Sequence, residues 1–245
     1  MKIRELFEEE QKEETLLGKK INGREITKNT PNEEWDGNFE SDFKGISSLK
    51  YCPRIISGDF DCTGNRDLRS LEGISQRGVE NFFTDNCNLT SLEGAPQKIN
   101  GGFYCYDNKN LTSLKGMPQE GVTDVYCSGC NLSSLEGIAK KINGDLNCFN
   151  NPNLTSLKGI HKIIEEINGS LSIGTSVKSN ILGILKIKNV KELKFSLQSA
   201  PINDVTRLTQ LANIINWYLP NPTTSQIIDC QNELIEAGFE EYAEL

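Results

Sequence analysis

The sequence predicts an α+β repeat solenoid: a stack of short parallel strands in turns of 21 or 22 residues, closed by a C-terminal helical cap. Three observations carry that prediction. A motif of the form L-x-S-L-[EK]-G recurs through the middle of the chain, as "NRDLRSLEGI", "CNLTSLEGAP", "NKNLTSLKGM", "CNLSSLEGI" and "NPNLTSLKGI". Each copy is followed by a loop and a strand-like piece, as in "GGFYC" and "GDLNC". Beyond the last copies the apolar residues change from alternation to helical spacing.

The chain divides into an acidic leader or cap, partly flexible, over residues 1–35, the solenoid over 36–197 and the helical cap over 198–245. In the leader, Ile3, Leu6 and Phe7 form the only early apolar face of an acidic amphipathic helix or tail, and residues 18–35 lead into the first turn. A worn first copy follows in "GNFESDFKGISSLK", with Phe39, Ile46 and Leu49 in the repeat columns. Lining up the recognisable copies on Leu68, Leu89, Leu111, Leu132 and Leu154 gives steps of 21, 22, 21 and 22 residues. A unit this short cannot bury an apolar face alone, so stacked neighbours must supply the core. Phe60, Phe82, Phe103, Val125 and Leu146 form one internal column, and Leu71, Leu92, Leu114, Leu135 and Leu157 another.

Two further columns are polar. Cys62, Thr84, Cys105, Cys127 and Cys148 point inward after the first apolar strand residue, with Thr84 interrupting the cysteines. Three residues on stand Asn65, Cys87, Asn108, Cys130 and Asn151, where buried backbone groups need partners. Asn is followed by two residues before the leucine and Cys by one, so the true unit is a 43-residue pair of turns. Repeats 75–88 and 120–131 lack the glycine that otherwise precedes the strand.

Past Leu157 the motif decays. "IHKIIEEINGSLSIG" reads as a loop and strand, and residues 181–197 as further β-rich or mixed packing. After Pro201, Val205, Leu208, Leu211, Ile214 and Ile215 mark an amphipathic helix stopped by Pro220 and Pro222. A second helix starts at the Thr/Ser run of "TTSQIIDC" and is interrupted at Gly238.

Among 245 residues there are 36% hydrophobic residues, and the net charge is −8, which disfavours nucleic acid and anionic membranes and favours a basic partner. No apolar run reaches membrane-spanning length, and the Glu-rich start lacks a signal core, so a cytoplasmic location with reduced thiols is expected.

The candidate site is the concave face of the strands, where alternate side chains point away from the core. It carries the aromatics Phe83, Tyr104, Tyr106, Tyr126 and Phe149 with Asp61, Asp85, Asp124 and Asn147. Aromatic anchors ringed by acids suit a protein partner with a basic surface; the competing reading is a ring ladder that stabilises the sheet. The C-x-x-C of Cys127 and Cys130 would be a metal site only with a second ligand pair, and His161 is the only histidine, so repeat-column roles explain both cysteines and no metal or cofactor is expected. Cys230 has no base pattern beside it, and no catalytic motif emerges.

The units fit the leucine-rich-repeat template, with Leu146-x-Cys148-x-x-Asn151 filling it and Leu154 one residue late. "NLTSLEGAP" and "NLTSLKGMP" resemble the short bacterial-type repeats. From about residue 37 onward the chain is similar to uncharacterised leucine-rich-repeat-like proteins of large tailed bacteriophages, through "GIHKIIEEINGSL", "KSNILGILKIKNV" and "CQNELIEAGFEEYAEL". The start "MKIRELFEEE" resembles capsid-targeting leaders of phage internal head proteins. These resemblances imply the solenoid fold and either a host protein as the partner of a non-enzymatic binding module or a virion or internal head role. The rings flanked by Asp and Asn leave carbohydrate binding as a third function.

Overall fold

The computed structural model describes residues 14–197, 200 and 202–244, so the expected leader face of Ile3, Leu6 and Phe7 lies outside the described residues. Its centre is a parallel-strand solenoid. Eight strands stack into one sheet: β1 (Phe39–Glu40), β2 (Phe60–Asp61), β3 (Phe82–Phe83), β4 (Phe103–Tyr104), β5 (Val125–Tyr126), β6 (Leu146–Asn147), β7 (Ser170–Gly174) and β8 (Glu192–Ser196). Each pairs in parallel with the next. A second, interrupted row of parallel pairs runs beside it, from Glu34–Trp35 against Ile55–Ile56 to Lys141–Ile142 against Glu166–Ile167.

The register puts Phe39, Phe60, Phe82, Phe103, Val125, Leu146, Leu171 and Leu193 in one buried column. The four phenylalanines follow one another at ring-centroid separations of 5.7, 5.4 and 5.5 Å. The expected columns are therefore present, and they run two rungs past the last recognisable motif, through Leu171 and Leu193. Most of the inward polar column shares one chemistry despite its mixed residues. Ser41, Cys62, Thr84, Cys127 and Cys148 each donate a hydroxyl or thiol hydrogen to a carbonyl on the next rung. Thr84 continues this column, with its Oγ1 3.0 Å from the Tyr104 carbonyl.

The alternation of Asn and Cys has a hydrogen-bonding cause. Asn108 Nδ2 donates to the Thr84 and Cys105 carbonyls at 2.8 and 3.0 Å, and its Oδ1 accepts from the Leu89 N–H at 3.0 Å. Asn65 and Asn151 do the same for the rungs before them. An asparagine rung is one residue longer, so its own leucine N–H reaches back to the asparagine carbonyl, as Leu111 does to Asn108 at 2.9 Å. A cysteine rung lacks that residue, and its leucine N–H takes the next asparagine's Oδ1 instead. Cys87 and Cys130 need only reach the preceding carbonyls of Cys62 and Cys105, both at 3.2 Å. One rung of each kind satisfies the backbone that the other leaves open.

The L-x-S-L-[EK]-G motif is a turn unit. Each serine Oγ accepts the N–H two residues on, as Ser91 does from Glu93 at 3.0 Å and Ser113 from Lys115 at 3.2 Å. The N–H three residues past the second leucine closes the turn, with Met117 donating to Leu114 at 3.1 Å. The glycine has φ of 95°, 93° and 91° at Gly94, Gly116 and Gly137, and a Cβ there would also strike the backbone of the preceding rung. Strand starts carry a further ladder. Asn38, Asp59, Asn81, Asp124 and Asp145 each accept, through Oδ1, the N–H at the same position of the next rung at 2.7–3.0 Å. The glycine before the strand gives that oxygen room: a methyl at Gly144 would overlap the Asp124 carboxylate. Thr123 is accommodated where glycine is missing because the residue below it in the ladder is Gly102, which has no side chain. Glu80 occupies the other exception, above Asp59, without such a reason.

Both ends are closed. At the start, a two-residue hairpin pairs Lys20–Ile21 with Arg24–Glu25 through Asn22 and Gly23, both at positive φ. Leu16, Ile21, Ile26 and Trp35 are buried there, with Trp35 edge-on to Phe39 at 5.1 Å. At the far end a one-turn helix α1 (Ile160–Ile163) and a 3-10 segment (Leu182–Lys186) precede β8, which accounts for the mixed packing expected over 181–197. Helix α2 (Ile202–Tyr218) then covers the sheet edge at β8, and α3 (Thr224–Glu236) packs on α2 and the 3-10 segment. Asn216 of α2 accepts from the Leu193 N–H at 2.7 Å and donates to the Leu193 carbonyl at 3.0 Å, taking the place of a ninth strand. Thr223 and Gln226 form a capping box at the start of α3.

Two stability outcomes are expected. Asn108→Ala leaves the Thr84 carbonyl and the Leu89 N–H unpaired, while the Cys105 carbonyl keeps the Cys130 thiol, and costs about 2–4 kcal/mol by chemical denaturation. Gly144→Ala costs about 1–3 kcal/mol by breaking the Asp124 contact, whereas Thr123→Ala changes stability by only about 0.5 kcal/mol.

Candidate functional site

The outward column of the sheet is set by the same register as the core. In order it reads Glu40, Asp61, Phe83, Tyr104, Tyr126, Asn147, Ser172 and Lys194. At its centre Phe83 stacks on Tyr104 with centroids 4.6 Å apart and planes 16° from parallel, and Tyr104 on Tyr126 at 5.1 Å and 17°. All three rings are half-buried. Gly102 makes room for the middle ring, since a Cβ there would meet the Tyr104 ring and hydroxyl. The rings stand on rungs held by backbone pairing on both sides, so they are presented without local ordering at the moment of contact.

The other expected residues sit around this column in different ways. Asp61 precedes Phe83 in it, and its Oδ1 accepts from the Thr63 N–H at 2.8 Å. Burial raises the Asp61 carboxyl above its usual range, opposed by its Thr63 hydrogen bonds. Asp124 stands at the strand start with its Oδ1 engaged by the Asp145 N–H at 2.8 Å. Tyr106 lies two residues past Tyr104 and is 38% exposed. Phe149 belongs to the same flanking line as Tyr106, two residues past Asn147, so it is a neighbour of the stack and not its fourth member.

Asp85 is the least expected of the set. It is 2% exposed, and its Oδ1 accepts from the Tyr106 N–H at 2.9 Å. Burial pushes its carboxyl up to about 8, with the charges of Asp61 and Asp107 adding to the effect. The Tyr106 hydroxyl is raised in turn, chiefly by Asp85. Burial foremost, and then Asp124, raise those of Tyr104 and Tyr126. The acidity of this face is thus real but partly held beneath it.

Asn147 has the opposite problem: its buried Oδ1 has no hydrogen-bond partner. Asp145 and Gly102, which alternation also places on this face, shape the site further, Asp145 through the strand-start ladder and Gly102 through the room it leaves for Tyr104. The C-x-x-C sulfurs point to different rungs, with Cys127 donating to Asn147 at 3.5 Å and Cys130 to Cys105 at 3.2 Å. All eight cysteines are free and buried, and burial raises the thiols of Cys52, Cys148 and Cys230 to about 12. His161 lies in α1 against Gly183, away from the outward column. Among the described residues no helix is long and apolar enough to cross a membrane, and no group of three or more His, Cys, Asp or Glu could hold a metal ion. The chain matches no family model, no curated protein and no solved structure.

Because folding raises Asp85 above its unfolded value of 3.8, its contribution to stability is fully present below about 4 and is lost as pH rises through 8. Asp85→Asn removes that loss. Melting curves should show the variant gaining on the wild type by roughly 4–8 °C between pH 4.5 and 9. A constant difference across that range would mean that Asp85 ionises normally.

Proposed function

We propose that the protein is a non-enzymatic binding module that uses the outward face of its sheet to hold a protein partner with a basic surface. The stacked column of Phe83, Tyr104 and Tyr126, half-buried and bordered by Asp61, Asp124 and Asp145, is the observation that carries this reading. Fixed aromatic rings supply contact area at low entropic cost, and the acids supply orientation and rate of encounter. The sequence resemblance to phage proteins, taken as a premise of this proposal, would make a host protein the source of such a partner.

The same geometry separates this reading from carbohydrate binding. A sugar stacks on an open ring face, and Tyr104 has both faces covered by its neighbours. The column presents ring edges to solvent, with open faces only at its two ends. Edges and hydroxyls surrounded by carboxylates suit cationic side chains better than a sugar platform.

The test is capture from host lysate at two salt concentrations, comparing the wild type with Tyr104→Ala/Tyr126→Ala. A specific, salt-sensitive partner should be retained by the wild type and lost from the double variant. The variant loses both stacked pairs and should melt a few degrees lower, for a cost of about 1–3 kcal/mol, while remaining folded. Equal capture by the folded double variant sinks the proposal.

A further inference from the structure

The outward column changes height abruptly after Tyr126. The next two residues in register are the short Asn147 and Ser172, and only then comes Lys194 on β8. Lys194 is drawn aside by Glu192 at 3.0 Å and by the Ser170 hydroxyl at 3.3 Å. With strands about 4.8 Å apart, a notch two rungs wide lies beyond the outer face of Tyr126. Asn147 forms its floor, Phe149 borders it from the same strand, and Asp124 and Asp145 border it at the strand starts. Both carboxylates engage Oδ1 with backbone N–H groups, which leaves each a second oxygen and its charge.

We infer that this notch is an arginine subsite: a guanidinium stacks on Tyr126 as the next layer of the column, donates to Asn147 and is neutralised by Asp124 and Asp145. The inference rests on the binding reading above and names the side chain that the face takes. Each requirement of the notch is met by that one group. The open ring face asks for something planar. The partnerless Asn147 Oδ1 asks for a donor, and its terminal amide torsion is soft enough to turn the oxygen outward. The paired acids ask for a cation. Guanidinium is planar, carries only donors, is always charged and stacks on aromatic faces. A lysine ammonium offers charge and donors but no plane, and an aromatic or sugar ring offers a plane but no charge.

The test uses the isotope-labelled full chain and three small probes: N-acetyl-arginine amide, N-acetyl-lysine amide and N-acetyl-citrulline amide, the last having arginine's shape without its charge. Saturable shifts at the Asn147 side-chain amide and the Tyr126 backbone amide are expected with the arginine probe. They should be several-fold weaker with lysine and absent with citrulline. Tyr126→Leu and, separately, Asn147→Leu should each weaken arginine binding about tenfold. Equal response to all three probes, or shifts confined to other residues, would overturn the subsite. Those shifts are measured on the wild-type chain, so the subsite stands or falls even if a variant misfolds. The wider reading fails separately, when lysate capture does not depend on Tyr104 and Tyr126.

Discussion

Everything in this structure depends on the side chains of Asn65, Asn108 and Asn151. Each lies fully inside the solenoid and joins three backbone groups, two carbonyls and one N–H, across two successive rungs. Turns of unequal length can share one straight sheet because the extra residue of one rung is compensated by the missing bond of the other. The core columns follow from that regularity, since Phe39, Phe60, Phe82 and Phe103 stack only while the rungs stay in register. So does the outer face, where three rings meet at stacking distance because their strands do.

The inward requirements leave the outward positions free to vary. Core and capping columns tolerate two or three residue types, whereas the outward column passes through an acid, three rings, an amide, a hydroxyl and a cation in consecutive rungs. No packing demand of the interior calls for that variety. A rigid scaffold with a chemically varied face is the arrangement expected of a recognition surface, where affinity comes from ordering groups in advance.

Much of this was legible in the sequence because repetition amplifies weak signals. Strand register, the internal columns and the two-turn unit could be read from the spacing of Leu68 to Leu154, and both C-terminal helices from their periodicity. The rungs of Leu171 and Leu193 were harder to see, since the serine and glycine turn that marks a repeat is absent beside them. In the candidate site, alternation gave the face of every residue but neither its depth nor its line. Cα–Cβ direction does not reveal that Asp85 is covered, or that Asp124 already serves a backbone N–H one rung away. Phe149 lies on the next turn after Tyr126 yet two residues along the strand, and that offset removes it from the stack. Asn147 could be placed, but its missing partner is visible only with its neighbours around it.

The complementarity of the two rung types also sets how such a molecule can change size. Excising a single rung would bring two rungs of the same kind together: two asparagines would face one another with no leucine N–H between them, or two cysteine rungs would leave a leucine N–H with no acceptor. Removing or inserting two rungs together restores every bond. The length of the solenoid, and of the face it displays, is therefore quantised in steps of about 10 Å, with intermediate lengths disallowed by hydrogen bonding and not by the core.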